Sequence, residues 1–323
     1  MPPYSVVVET ENLANGDLSD LEACLDSIRT QAVPVPPAAL IVVNSGQVAS
    51  ALLDDLKRRY DGLVVHTTPQ ALHYYDAKLE GARITSTDVV VFADADLKYE
   101  PGWLAALLAP FDDPAVDFVT GETRVAVHGP YTFSVATTWL FPRRYDGRLA
   151  PSLIANNCAV RREALLAHPF PQGLPLYRAQ ITVHGRQLQR RGQTVHRVRA
   201  RGWHAPPDGV REWALRYLVS GADAVMAGTW DVMNDGALQR HNTALRRVRA
   251  WTNGVARKLS SSAVRTVQAW RERPFTVVYA PLSLPLSCVS VALFIVGGAS
   301  AVCGSGAAHA WMQAFEADAG GVR

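Results

Sequence analysis

Asp88-Val89-Val90-Val91-Phe92-Ala93-Asp94-Ala95-Asp96 joins a run of β-branched and aromatic residues to two carboxylates one residue apart. So short and apolar a run, bounded by polar residues, reads as a strand buried on both faces of a parallel sheet. Its acids then stand at the carboxyl end of the strand, the rim where open α/β sheets bind ligands. Carboxylate oxygens in that position can hold a hard divalent cation, and such a cation can neutralise a diphosphate.

Upstream, short β-branched runs at Ser5–Val8, Ala39–Val43 and Leu63–His66 alternate with helical patterns. Leu18, Leu21, Leu25 and Ile28 recur at helical spacing, as do Leu52, Leu53 and Leu56, so each helix can lay an apolar stripe on the sheet. Alternation of this kind predicts a Rossmann-like α/β start. The loops Glu9-Thr10-Glu11-Asn12 and Asn44-Ser45-Gly46 follow the first two strands. No GxGxxG follows the first strand and no GxxxxGK[ST] occurs, which argues against a dinucleotide dehydrogenase and a P-loop NTPase. Downstream, Asp117–Thr120 and Thr194–Val198 read as strands, while 161–167, 179–191 and 209–233 read as helices, with Gly192 as a helix stop.

On these residues the chain resembles a GT-A glycosyltransferase of family 2, over roughly its first 230 positions. The matching pieces are Ser5–Asn12, Ile41–Gly46, Asp76-Ala-Lys78-Leu-Glu-Gly-Ala82, and the Asp94-Ala-Asp96 motif with its Pro101-Gly-Trp-Leu104 continuation. The resemblance implies a nucleotide-sugar donor, UDP-linked, contacted by Glu9, Thr10, Glu11, Asn44, Lys78 and Asp94. It further implies a divalent metal, Mn²⁺ or Mg²⁺, on Asp96, with Asp94 either sharing the cation or contacting the ribose. His204, in Arg201-Gly-Trp-His204, is read as a third ligand, against the plainer reading of a loop His packed on Trp203. Asn156, Asn157 and Gln180 fall on the acceptor side, although the two Asn suit a helix cap equally well.

Two positions depart from the family pattern. Asn44-Ser45 stand where an Asp commonly reads the uracil edge, and Asn can still donate and accept. Gln180-Ile181 stand where inverting members carry the acid that deprotonates the acceptor, and neither can take a proton. A missing base costs roughly 10²–10⁴-fold in rate. Glu122 and Asp208 are the substitutes named here, with His184 a further candidate. Their plainer roles are an edge charge, a helix cap and a helix-surface residue.

The chain has 323 residues, 48% hydrophobic and 19% charged, enough for a sizeable core, and its net charge of +3 hides an uneven distribution. Residues 237–273 hold nine Arg or Lys against the single acid Glu272, interleaved with Leu, Val and Trp at helical spacing. Directly after them, 274–315 contains no Asp, Glu, Lys or Arg, with Pro281 and Pro285 opposing one straight helix. A basic amphipathic helix beside an apolar run long enough to span predicts lipid association with anionic headgroups, and no nucleic-acid motif is present. Four cysteines without CxxC spacing point to reduced thiols, and the start of the sequence shows no leader pattern.

The sequence therefore predicts a GT-A domain over 1–235, a basic amphipathic segment over 236–273, and an apolar membrane-associated or transmembrane segment with tail over 274–323. The mostly parallel sheet carries flanking helices, and the enzyme sits on the cytoplasmic face of a membrane. The expected activity is metal-dependent, inverting transfer of a sugar to a hydroxyl of a lipid or glycan acceptor. The alternative is a non-catalytic membrane-associated protein of the same fold that binds a nucleotide sugar or a partner protein.

Overall fold

The computed structural model describes the chain except for residues 12, 14–17, 34–35, 47, 70–71, 141–148 and 320–323, so Asn12 lies outside the described residues. Strands β1 (Tyr4–Glu9), β2 (Ala39–Asn44), β3 (Leu63–Thr67) and β4 (Val89–Asp94) pair in parallel in the order β3-β2-β1-β4. Helices α1 (Leu18–Arg29), α2 (Ser50–Arg59) and α3 (Tyr74–Ile84) form the crossovers. All residues of β1 and β4 are buried, because helices cover both faces, which is why those strands read as unbroken apolar runs. The β1–β4 register places Glu9 beside Asp94, so the two strands deliver their acids to one point of the rim.

Beyond β4 the sheet is mixed. β5 (Leu97–Tyr99) is followed by α4 (Trp103–Leu108), β6 (Phe118–Val125), α5 (Pro130–Val135), β7 (Leu149–Ala150), β8 (Asn157–Arg161), α6 (Arg162–Ala167), α7 (Gln180–Arg190) and β9 (Val195–His204). The order continues β8-β6-β9-β5, with β8 antiparallel to both β4 and β6. β6 bulges between Thr120 and Glu122, where a Cβ on Gly121 would lie 2.2 Å from Asn157 Oδ1. At the predicted helix stop, Gly192 takes φ 72°, and the Gln193 N–H closes the last turn on the Leu188 carbonyl. β9 runs six residues further than the periodicity suggests, and its pairing of His204 with Leu97 brings that histidine alongside Asp96.

The C-terminal third packs on this body. α8 (Gly209–Gly228) stops short of the predicted Met233, and β10 (Trp230–Val232) pairs with β11 (Leu238–Arg240), so the predicted boundary at 235/236 falls inside a hairpin turn. α9 (Ala244–Glu272), a 3₁₀ turn Pro274–Tyr279, α10 (Ala280–Val302) and α11 (Ala307–Ala319) follow. α10 lies against α8 at backbone distance: a Cβ on Gly221 would sit 1.9 Å from the Phe294 carbonyl oxygen, and one on Gly297 1.9 Å from that of Leu218. Pro281 occupies the first turn of α10, where its missing N–H costs nothing, and Pro285 lies inside the helix. Pro274–Val302 has the length and hydropathy of a membrane span, with 28% of its most apolar window buried against the protein.

α9, expected as an amphipathic helix with its apolar face towards lipid, packs on the protein mainly through small residues. Ala250, Gly254, Ser262 and Ala269 are its buried residues, whereas Leu245, Val248, Leu259, Val264 and Val267 are exposed. Small side chains are what permit close approach to α8 and α10; of the bulky apolar residues Trp251 and Trp270 pack on the protein and the exposed Leu and Val residues are left on the outside.

Candidate functional site

The rim is organised around a buried ammonium. Lys78, on α3, is fully enclosed and places Nζ 2.6 Å from Asp94 Oδ1, 3.2 Å from the Ala93 carbonyl and 4.0 Å from Glu9 Oε1. Tyr74, one helical turn earlier, donates its hydroxyl to the same Asp94 carboxylate at 2.9 Å. Against the downward pull of burial, Asp94 and Glu9 raise the Lys78 pKa and keep it charged. Burial pushes the Glu9 carboxyl well above the usual carboxylate range in spite of Lys78. The Asp94 N–H is also fixed, donating to the Tyr99 hydroxyl, which in turn donates to the Asn156 carbonyl.

Asp96 and His204 form the second group. Nε2 of His204 lies 3.2 Å from Asp96 Oδ2, and both side chains keep 11% exposure. The His204 ring stands edge-on to Trp139, not Trp203, with centroids 5.4 Å apart. Arg216 of α8 lies over the Trp139 ring and bonds Glu212 at 2.6 Å. Asp96 is among the charges acting on that guanidinium, so a cation and an aromatic plane border the pair. Trp203 instead donates Nε1 to Glu100.

A third group comes from the loop before α7. Arg178 bonds Glu11 Oε2 at 2.5 Å, with its guanidinium 4.3 Å above the Tyr74 ring. The loop is held by Asp223 of α8, whose carboxylate accepts from the backbone N–H groups of Tyr177, Arg178 and Ala179 and from His309 of α11 at 2.7 Å. Tyr177 also donates to Glu316 of α11. Periodicity carried no signal for Arg178, Arg216, Trp139 or Tyr74; their roles come from contacts between elements distant in sequence.

Other expected residues are committed elsewhere. Glu122 is shared by Arg124, Arg197 and Arg201 at 3.2, 3.3 and 3.6 Å, so its charge is spent on β6 and β9. His184 packs edge-on to Phe118 and Phe170, bonds the His168 carbonyl and is pushed down to about 4 by burial, away from the rim groups. Asp208 stands exposed at the start of α8 with no side-chain cap bond. Asn44 uses its amide on Val48 and Thr10, and Thr10 also reaches the Val43 carbonyl, so both brace the loop after β2.

Asn157 is a buried hub, accepting from Trp103 Nε1 and donating to the Glu122 and Ala200 carbonyls. Asn156 accepts from Thr123 at 2.7 Å, and Gln180 donates to the Leu176 carbonyl; neither Asn caps α6, whose N-cap is Arg161.

Among the described residues no cluster of three His, Cys, Asp or Glu converges as a ready metal cage. The Asp96–His204 pair nevertheless fits a cation that keeps waters and takes its remaining ligands from a diphosphate, as Mg²⁺ and Mn²⁺ do. Asp94, neutralised by Lys78 and Tyr74, fits that task less well.

Comparison with known proteins follows the same lines. The profile "Glycosyl transferase family 2" matches residues 5–166, half of the chain. No curated protein matches. Among solved structures, GalNAc-T7 with UDP, GalNAc and Mn²⁺ is similar at TM-score 0.52 and 16% identity, over 64% of this chain and 44% of that one. The chain thus spans less than half the length of that protein. The mannosyltransferase PcManGT from Pyrobaculum calidifontis, in complex with GDP-Man and Mn²⁺, is similar at TM-score 0.59 and 17% identity, over 93% and 87% of the two chains. At such identities the likeness is one of fold, and it is the family match that carries the activity. The chain belongs to glycosyl transferase family 2 and has the GT-A fold.

Proposed function

We propose that the chain transfers a sugar from a nucleotide diphosphate to a hydroxyl of a lipid or glycan acceptor, with Mn²⁺ or Mg²⁺ held at Asp96 and His204. The observation that carries the reading is the 3.2 Å approach of His204 to Asp96, two residues 108 positions apart that the β5–β9 register brings to one rim. When bound, the cation would offset the negative charge of the leaving diphosphate.

Around it, Asp94 has its charge balanced by Lys78 and suits a neutral ribose hydroxyl better than a second cation bond. Lys78 acts through Asp94 as a positioning residue, since no part of it reaches solvent. Glu11, expected on the donor, is paired with Arg178, and the two close the rim as a carboxylate and guanidinium. Of the two carboxylates named as bases, Asp208 is the one left available for the acceptor proton. UDP as the nucleotide rests on family likeness alone, because the Asn44 amide is occupied.

The test is transfer and donor hydrolysis across a panel of nucleotide sugars, with Mn²⁺ and with chelator. Activity restored by Mn²⁺ in the parent, and lowered at least ~100-fold in Asp96→Asn, is the expected result. Donor binding without turnover across the panel would favour the non-catalytic alternative. Metal-independent turnover in Asp96→Asn would remove the metal from the site.

A further inference from the structure

Away from the rim, an open cleft of about 490 Å³ lies between α7, α8, α9 and α10. Arg186, Arg257, Lys258 and Arg265 line it, with Thr182 and Phe294, and no Asp or Glu is among its described lining residues. Three of the cations bond neutral carbonyls. Lys258 Nζ bonds the Thr138 carbonyl at 2.8 Å, Arg257 Nε the Asn253 carbonyl at 3.3 Å, and Arg186 the carbonyls of Trp230 and Ala227. The Arg186 Nε is buried without a partner. Asp231, the carboxylate that acts on Arg186, is itself paired with Arg246 and lies 3.7 Å from His241.

Arg186, Arg257 and Lys258 gathered at one cleft repel one another, and carbonyl dipoles offset that only in part. The strain registers on Lys258, which lies over the Tyr217 and Phe294 rings: burial, and then Arg265, push its pKa down to about 7. An anion would relieve it, and guanidinium and ammonium groups together form a recurring phosphate-binding set. The setting narrows the ligand further. Phe294 belongs to α10, part of the stretch Pro274–Val302 that has the length and hydropathy of a membrane span, so the charged cleft abuts a helix of that kind. That pairing matches an amphiphile with an anionic head.

We propose that Arg186, Arg257, Lys258 and Arg265 form a binding site for a phosphate group, such as the head of an anionic lipid whose chains follow α10. The site includes none of Glu9, Asp94, Asp96 and His204, and its phosphate binding is read independently of the function proposed above.

The experiment uses the full chain in neutral detergent for calorimetry with inorganic phosphate, and in phosphatidylcholine nanodiscs with and without phosphatidic acid. The parent is compared with Arg257→Gln/Lys258→Gln, with Arg249→Gln/Arg271→Gln as a matched loss of charge on exposed parts of α9, and with Asp96→Asn. Thermal melts report whether each variant is folded. The expected result is at least a tenfold weaker response to phosphate or phosphatidic acid in the cleft variant, with the other two within twofold of the parent. Should the cleft variant fail to fold, Arg186→Gln is read in its place, with the same expectation. Binding of both probes identifies a phosphate site in general; binding of phosphatidic acid alone identifies the lipid as the source. No binding of either probe, or equal weakening in the exposed-charge variant, overturns the proposal.

Discussion

Lys78 shows how much of the rim hangs on one side chain. It is fully buried between two carboxylates, and removing one partner of a buried ion pair strands the other in low dielectric. Lys78→Met is expected to cost about 3–5 kcal/mol in denaturant unfolding. Adding Asp94→Asn should recover part of that loss, and a double variant no more stable than the single one would show that Asp94 is not the stranded charge. His204→Ala, by contrast, should weaken Mn²⁺-dependent donor binding while leaving the melting temperature nearly unchanged, because its ring lies at the rim, bonded to the neighbouring Ala205 carbonyl and set against Asp96 and Trp139, and not in the core.

His184 gives a pH signature. Its folded pKa is depressed to about 4 from 6.5, so the unfolded chain binds the proton first as pH falls. Stability is therefore full above about pH 6.5 and is lost as pH falls towards 4, on the order of 3 kcal/mol for this group. The slope of stability against pH in that window should flatten in His184→Gln.

At the scale of elements, α11 reaches back across the chain to the loop that carries Arg178. Asp223 accepts three consecutive backbone N–H groups of that loop and is paired with His309, so the last helix is tied to the loop that brings Arg178 to the rim. Asp223→Ala would leave those donors unsatisfied and is expected to cost about 2–3 kcal/mol. It should also raise KM for acceptor more than it lowers kcat. His309→Ala should show the same KM-against-kcat pattern more weakly; unchanged kinetics in both variants would disconnect the helix from the rim.

The α8–α10 contact is a second such tie. Gly297→Leu cannot be accommodated beside the Leu218 carbonyl, and a folded variant with α10 undocked should become sensitive to proteolysis at 303–306.

For the whole molecule, the C-terminal third packs on the α/β body and leaves bulky apolar side chains outward. Phe275, Val277, Val278, Leu282, Leu284, Val289 and Val296 are exposed within the stretch that has the length and hydropathy of a membrane span. Full-length chain is expected to float with anionic vesicles and to stay bound at high salt, because apolar burial is insensitive to screening. Replacing the exposed Arg249, Arg271 and Arg273 with Glu should reduce only the salt-sensitive part. A full-length chain that remains monomeric without detergent or lipid would mean that this surface needs no membrane.

What the sequence determined by itself was everything that depends on neighbours in the chain. The buried parallel strands, their crossover helices, the Gly192 stop and the position of Asp94 and Asp96 at a strand end follow from local apolar periodicity and from where it breaks. Tertiary structure decided which of those residues meet. The length of β9 and its register against β5 set His204 beside Asp96, while the helix-on-helix contact through Gly221 and Gly297 brought α9 in by its small and basic face. A 3.6-residue period marks a stripe of apolar residues but does not say which stripe finds a partner. On α9 close backbone approach favoured Ala, Gly and Ser, which left Val and Leu outside and turned Lys258 inward.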